Sequence, residues 1–288
     1  MAQNVYQWKD ANGVTHSSDK PPAGPYTGAM DHDRPPPRSR GIYLLPNLFT
    51  TCGLFAGFYA IIAAANSQFT AAAIAVFVAG LADGIDGRVA RLTGTSSDFG
   101  VQYDSLADLV SFGLAPALVM YHWSLSALKF DGGTLGRVGW AVAFLYAACA
   151  ALRLARFNTQ VGVVDKRWFV GLASPAAAGL MMSFVWAFAD GQLGWSGEEL
   201  RYVALGVTLC AALLMVSRIR YWSFKGSGEG GARADRVPFA VLLGVPVVIA
   251  MVVIDPPRVL FAVGILYGLS GPVLALWLRA RRPAEPAA

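Results

Sequence analysis

Four aspartates in one short stretch carry the strongest chemical signal in the sequence. In Asp83-Gly84-Ile85-Asp86-Gly87-Arg88-Val89-Ala90-Arg91, the residues Asp83, Asp86, Gly87, Ala90 and Arg91 fall at i, i+3, i+4, i+7 and i+8. They therefore share one face of a helix. Asp104 and Asp108 are four apart at the start of the next helix, and the link over residues 92–99 contains Gly94 and the helix-disfavouring Thr95-Ser96-Ser97. That link is short enough to force an antiparallel hairpin, so four carboxylates converge. Two carboxylates about 4 Å apart repel by roughly 4 kcal/mol at an effective dielectric of 20, and one nearby arginine does not offset four of them. Two divalent cations do. An all-oxygen donor set selects Mg²⁺ or Mn²⁺ over zinc, which favours His and Cys, and two such ions about 4 Å apart clamp an in-line displacement at phosphorus. The simpler alternative is that the acids sit at a water interface and pair with Arg88 and Arg91. That suffices for a lone aspartate, but not for four at these spacings with glycines where a backbone must approach a ligand.

The elements that must position these acids are membrane spans. The 288 residues are 55% apolar and 14% charged, with a mean hydropathy of +0.48, against roughly 25% charged in an ordinary soluble domain. Beyond residue 41 the charges fall in short groups between apolar runs of about twenty residues, the length that crosses a bilayer as helix. A soluble globule, a disulfide scaffold (three cysteines, each read as apolar packing) and a disordered chain are excluded. The reading is an all-α, polytopic membrane bundle of eight spans at 42–65, 69–90, 104–123, 138–157, 169–189, 200–217, 237–254 and 259–278, with both termini cytoplasmic. Of the 23 Lys and Arg, 19 fall on the side shared by the termini and only Lys129, Arg137, Arg201 and Arg258 on the other, a positive-inside pattern. The net charge of +5 and pI near 9.2 thus report orientation in a bacterial inner membrane, with the acids facing the cytoplasm, and not a nucleic-acid partner. Residues 1–40 are a polar, proline-rich tail, expected to be mobile, ahead of a membrane domain at 41–282 and a short tail at 283–288. Within the first tail, 5–8 and 14–17 predict a small hairpin, faintly similar to a short domain of unknown function found near the front of bacterial envelope proteins.

The acidic stretch fills every fixed position of D-x2-D-G-x2-A-R-x8-G-x3-D-x3-D, ending on Gly100, Asp104 and Asp108. It resembles the CDP-alcohol phosphatidyltransferase family, and the likeness covers roughly residues 42–280. The flanks Leu45-Pro46-Asn47-Leu48-Phe49-Thr50, Ser105 to Pro116, Leu152-Arg153-Leu154-Ala155-Arg156-Phe157-Asn158 and Gly171-Leu172-Ala173-Ser174-Pro175 are most similar to the members that use serine. The resemblance implies that Asp83, Asp86, Asp104 and Asp108 hold two metal ions, with Asp108 also the general base. It implies that Gly87 and Arg91 contact the CDP diphosphate, that Ser97 makes another nucleotide contact, and that Asn47 and Thr50 close the CDP site. It further implies a homodimer among membrane lipids that transfers the phosphatidyl group of CDP-diacylglycerol to L-serine.

A serine acceptor is a zwitterion, and its carboxylate calls for a cation. Arg153 and Arg156, three apart on one helical face at the cytoplasmic end of the fourth span, are the candidates; lipid-headgroup anchoring is the other reading. Other acceptors (glycerol phosphate, inositol phosphate, choline) would use the same chemistry. A membrane prenyltransferase would need a second Asp-rich cluster, and the later acids Asp190, Glu198, Glu199 and Asp255 all fall on the opposite face. A transporter would place acids near the midplane and show a repeated half.

Overall fold

The computed structural model describes residues 6–9, 15–18, 44–93, 97–159, 168–191, 193–222 and 250–280. The chain divides into two compact units, residues 1–39 and 40–288. In the first, β1 (Tyr6–Lys9) and β2 (Thr15–Ser18) form an antiparallel hairpin with Tyr6 opposite Ser18 and Lys9 opposite Thr15. The expected hairpin is present, one residue later in each strand.

The second unit is a helical bundle. Helix α1 (Leu44–Ala65) ends in a Schellman-type turn, with Ser67 at φ 60° and the Gln68 N–H on the Ala63 carbonyl. The chain then reverses into α2 (Phe69–Thr93). The two helices pack through small residues, Ala56, Ala60, Ala63 and Ala64 against Ala72, Ala75 and Ala79, all buried. Close backbone approach of this kind is how helices associate where lipid leaves little hydrophobic driving force.

Helix α3 (Asp98–Asp108) starts earlier than the span expected from residue 104, because Ser97 caps it: its Oγ accepts the Gly100 N–H at 3.1 Å. The backbone stays helical through a π turn at Leu109–Leu114 into α4 (Ala115–Trp123), where the Ala115 N–H bonds the Val110 carbonyl five residues back. Pro116 accounts for the wide turn. It has no N–H to offer the Phe112 carbonyl four residues earlier, and its ring clashes there in an α-ladder. The buried Tyr146 hydroxyl donates to that carbonyl instead, at 3.1 Å.

After a 3₁₀ segment (Leu125–Asp131) come α5 (Gly133–Thr159), β3 (Trp168–Val170), α6 (Ser174–Ala189), α7 (Arg201–Val216), β4 (Arg220–Trp222) and α8 (Pro256–Ala280). Among the described residues five stretches are long and apolar enough to cross a membrane: Asn47–Ala65, Phe69–Val89, Phe99–Asp131, Gly133–Thr159 and Pro256–Ala275. Their outward faces carry Phe55, Leu81, Phe144 and Leu266, as expected of an integral membrane protein. The fifth and sixth expected spans are shorter helices of 16 residues each, α6 and α7. The fifth expected span starts on the apolar Phe169 and Val170, but Trp168–Val170 pairs as a strand with Arg220–Trp222, and the helix begins only at Ser174. Most of the seventh expected span, 237–254, lies outside the described residues. Cys149 is buried as expected, whereas Cys52 and Cys210 lie exposed on their helices.

Hydrogen bonds tie the helices at both ends. At one end Thr50 meets Asp86, Ser105 meets Asn158, and Arg153 meets Ser174. At the other Thr70 meets Asp190, and Arg201 Nη2 donates to Asp131 Oδ1 at 2.8 Å. The alternation of helix directions thus gathers the start of α1, the end of α2, the start of α3 and the end of α5 at one end.

Candidate active site

At that end a pocket is lined by Thr50 and Gly53 from α1, Ala79, Asp83 and Asp86 from α2, Asp104, Ala107 and Asp108 from α3, and Ser111 and Phe112 from the π turn. All four aspartates of the sequence pattern therefore reach one cavity. Oxygens of Asp83, Asp104 and Asp108 lie within 4.8 Å of one another. Asp86, 5% exposed, accepts a 2.8 Å hydrogen bond from Thr50 Oγ1 on its Oδ2 and a further bond from the Gly87 backbone. Three half-buried carboxylates this close, with a fourth beside them, make a hard-oxygen donor set that fits Mg²⁺ or Mn²⁺ in type and number.

Around the acids the other expected residues take separate positions. Asn47 Oδ1 and Ser97 Oγ flank Gly100: a Cβ there would lie 3.7 Å from the first and 3.2 Å from the second. Asn47 and Ser97 are thus neighbours at the α1–α3 seam, where Thr51 also bonds the Asn47 carbonyl and the Tyr103 hydroxyl at 2.9 Å. Gly84 and Gly87 have nothing within 4 Å of the position a Cβ would take. Arg91 lies on α2 one turn beyond Gly87, and its side chain is outside the described residues.

The two arginines of α5 are at the same end but differ in their contacts. Arg153 Nη1 donates to Ser174 Oγ at 3.0 Å, its buried Nε has no hydrogen-bond partner, and its guanidinium lies within electrostatic reach of Asp108. Arg156 Nη2 donates to the carbonyl of Val216, the last residue of α7, a favourable place for a cation at a helix C-terminus.

Several contacts at this end went unread in the sequence. Asn158 Nδ2 donates to Ser105 Oγ at 2.9 Å, fixing α5 against α3 between Asp104 and Asp108. Ser111 Oγ donates to the Gly53 carbonyl at 3.0 Å. For the Tyr146–Phe112 bond the sequence offers one partial signal, Pro116 standing four residues after Phe112; the other contacts depend on packing between helices distant in sequence.

Fold and site together define a membrane-embedded helical protein with an acidic, oxygen-lined pocket at one end of its bundle. The chain belongs to the CDP-alcohol phosphatidyltransferase family, which it matches over residues 43–217. Residues 1–41 match a domain of unknown function, DUF4124. The chain is similar to a protein named CDP-diacylglycerol–serine O-phosphatidyltransferase from Helicobacter pylori, with 41% identity over 184 residues, 64% of this chain and 74% of the relative. A protein of the same name from Mycobacterium tuberculosis is 38% identical over 194 residues, 64% of this chain and 63% of the relative. An archaetidylserine synthase from Methanothermobacter thermautotrophicus is 32% identical over 190 residues, 65% of this chain and 73% of the relative.

Proposed function

We propose that this chain transfers the phosphatidyl group of CDP-diacylglycerol to the hydroxyl of L-serine, giving phosphatidylserine and CMP. The observation that carries the reading is the four-aspartate pocket of α2 and α3 in a chain 41% identical to a relative bearing that activity's name. Asp83, Asp86, Asp104 and Asp108 would hold two divalent cations, Mg²⁺ or Mn²⁺. When bound, such ions supply charge neutralisation to the non-bridging oxygens and to the leaving phosphate.

The chain's own residues supply the rest. Asp108 takes the serine hydroxyl proton as the Oγ–P bond forms and the P–O bond to CMP breaks. Gly87 gives the diphosphate close access to the backbone, and Arg91 adds a fixed positive charge beside it. Asn47 and Ser97 face the nucleotide at the seam of α1 and α3. Thr50 closes the CDP site together with Asn47 and orients the Asp86 carboxylate. Arg153, with an unpartnered Nε and within electrostatic reach of Asp108, holds the serine carboxylate, and Arg156 supports it from the next turn. The lipid tails stay in the bilayer while CDP and serine arrive from water. The enzyme sits in the inner membrane as a homodimer, with eight spans, both termini and the aspartates on the cytoplasmic side; the 19-to-4 distribution of Lys and Arg supports that orientation.

The test is purified protein with CDP-diacylglycerol, Mn²⁺ and a panel of labelled alcohols, following CMP release. Serine-dependent release is the expected result. Release driven by glycerol phosphate, inositol phosphate or choline and not by serine would overturn the acceptor assignment while leaving the reaction class.

A further inference from the structure

The π turn between α3 and α4 stands directly after Asp108. One residue more than an α-ladder holds is inserted between the aspartate-bearing α3 and the buried α4, as the Ala115 N–H to Val110 carbonyl bond shows. At 3.6 residues per turn that residue shifts the two helical faces by about 100° relative to an unbroken helix. Ala115, Ala117, Val119, Met120 and Trp123 fix α4 in the core, so the turn decides which way Asp104 and Asp108 point. A π turn has poorer hydrogen bonding than an α turn, and here Pro116 leaves the Phe112 carbonyl without its helical donor. Two side-chain hydrogen bonds, to two different helices, hold it. Ser111 Oγ, inside the turn, donates to the Gly53 carbonyl of α1, and the Tyr146 hydroxyl of α5 donates to the Phe112 carbonyl. Tyr146 is fully buried and lies outside the aspartate pocket.

We infer that Tyr146 is a positioning residue for the carboxylate pair: by satisfying the Phe112 carbonyl it holds the π turn that aims Asp104 and Asp108 at Asp83. The inference rests on the reading of these aspartates as metal ligands. Tyr146→Phe keeps the ring and removes only the hydroxyl, leaving a buried carbonyl unpaired. Tyr221→Phe is the matched control, because Tyr221 is also fully buried, does not line the aspartate pocket, and its hydroxyl donates at 3.1 Å to a helix carbonyl, that of Gly268 in α8.

The experiment is a Mn²⁺ titration followed by electron paramagnetic resonance on detergent-purified full-length protein, with no substrate present. Wild type and Tyr221→Phe should bind alike, and Tyr146→Phe should bind three- to tenfold more weakly, on the scale of one lost hydrogen bond. Ser111→Ala, which removes the other pin, should shift binding in the same direction and serves if Tyr146→Phe does not accumulate as folded protein. Equal Mn²⁺ affinity in folded Tyr146→Phe and wild type, even with a lowered thermal midpoint, overturns the positioning role. No Mn²⁺ uptake by wild type overturns the metal reading itself, and this role with it; uptake that Asp108→Asn diminishes separates the two failures.

Discussion

The Thr50 hydroxyl donates to Asp86 Oδ2 across 2.8 Å in a buried setting, joining the first turns of α1 to the acidic end of α2. It gives Thr50 a direct contact with the acidic site. Thr50→Val keeps the shape and removes the donor, so it should raise the Mn²⁺ concentration for half-maximal activity roughly ten- to hundredfold, in line with the roughly 1.5–3 kcal/mol of a hydrogen bond to a charged group. Thr50→Ser retains the donor and should stay within about threefold of wild type. If Val and Ser behave alike, the bond does not govern the site.

The crowding of Asp83, Asp104 and Asp108 makes a metal requirement the direct expectation, because oxygens this close repel without a cation between them. EDTA should abolish CMP release and Mg²⁺ or Mn²⁺ should restore it; full activity in a thoroughly chelated sample would sink the two-metal reading. Asp108→Asn keeps shape and an oxygen but loses basicity, so turnover should collapse more than CDP-diacylglycerol binding. Asp86→Asn should damage both. Near-normal turnover in Asp108→Asn would mean that another group takes the proton.

Two glycines separate a folding role from a ligand role. A Cβ at Gly57 would lie 2.6 Å from Ser111 Oγ and 2.8 Å from its Cα, so Gly57→Ala must push α1 off the π turn. A loss of about 1–3 kcal/mol of stability is expected, the usual cost of overpacking. A Cβ at Gly87 meets nothing within 4 Å, and alanine favours helix over glycine by up to ~1 kcal/mol. Gly87→Ala should therefore keep or raise the thermal midpoint while raising the KM for CDP-diacylglycerol at least tenfold, because the methyl occupies the diphosphate's approach. An unchanged KM in that variant would move the diphosphate elsewhere.

What the sequence could and could not reveal follows from the range of the interactions. The convergence of Asp83, Asp86, Asp104 and Asp108 was legible because helix periodicity and a short link are local properties. The Thr50–Asp86 bond, the Asn158–Ser105 bond and the Tyr146–Phe112 pin were not, since each joins residues 34 to 53 positions apart. Ser97 was legible as a residue that disfavours a helix interior, and the same short polar side chain caps α3 here. Hydropathy drew the fifth span too long because an apolar strand and an apolar helix end look alike in composition; Gly171, at φ 82° with a Cβ position 2.4 Å from the Met215 carbonyl, marks the break before α6.

The acceptor site turns on how α5 uses its two arginines. Arg156 is committed to the carbonyl end of α7, while Arg153 keeps an unpartnered buried Nε and lies within electrostatic reach of Asp108. A buried guanidinium with an unused donor is costly unless something fills it, and a serine carboxylate would do so in the geometry that arginine favours. Arg153→Ala should raise the KM for serine roughly ten- to hundredfold, the equivalent of one charge-assisted bond of about 1.5–3 kcal/mol, with the KM for CDP-diacylglycerol barely moved. Arg156→Ala should raise the serine KM less and lower the thermal midpoint more, because it removes a helix-end contact. Arg153→Lys keeps the charge but loses the fork, so a serine KM between those of wild type and Arg153→Ala is the expected signature of carboxylate binding. If the serine KM is unchanged in both alanine variants, the two arginines anchor the bundle and the carboxylate is held by other groups.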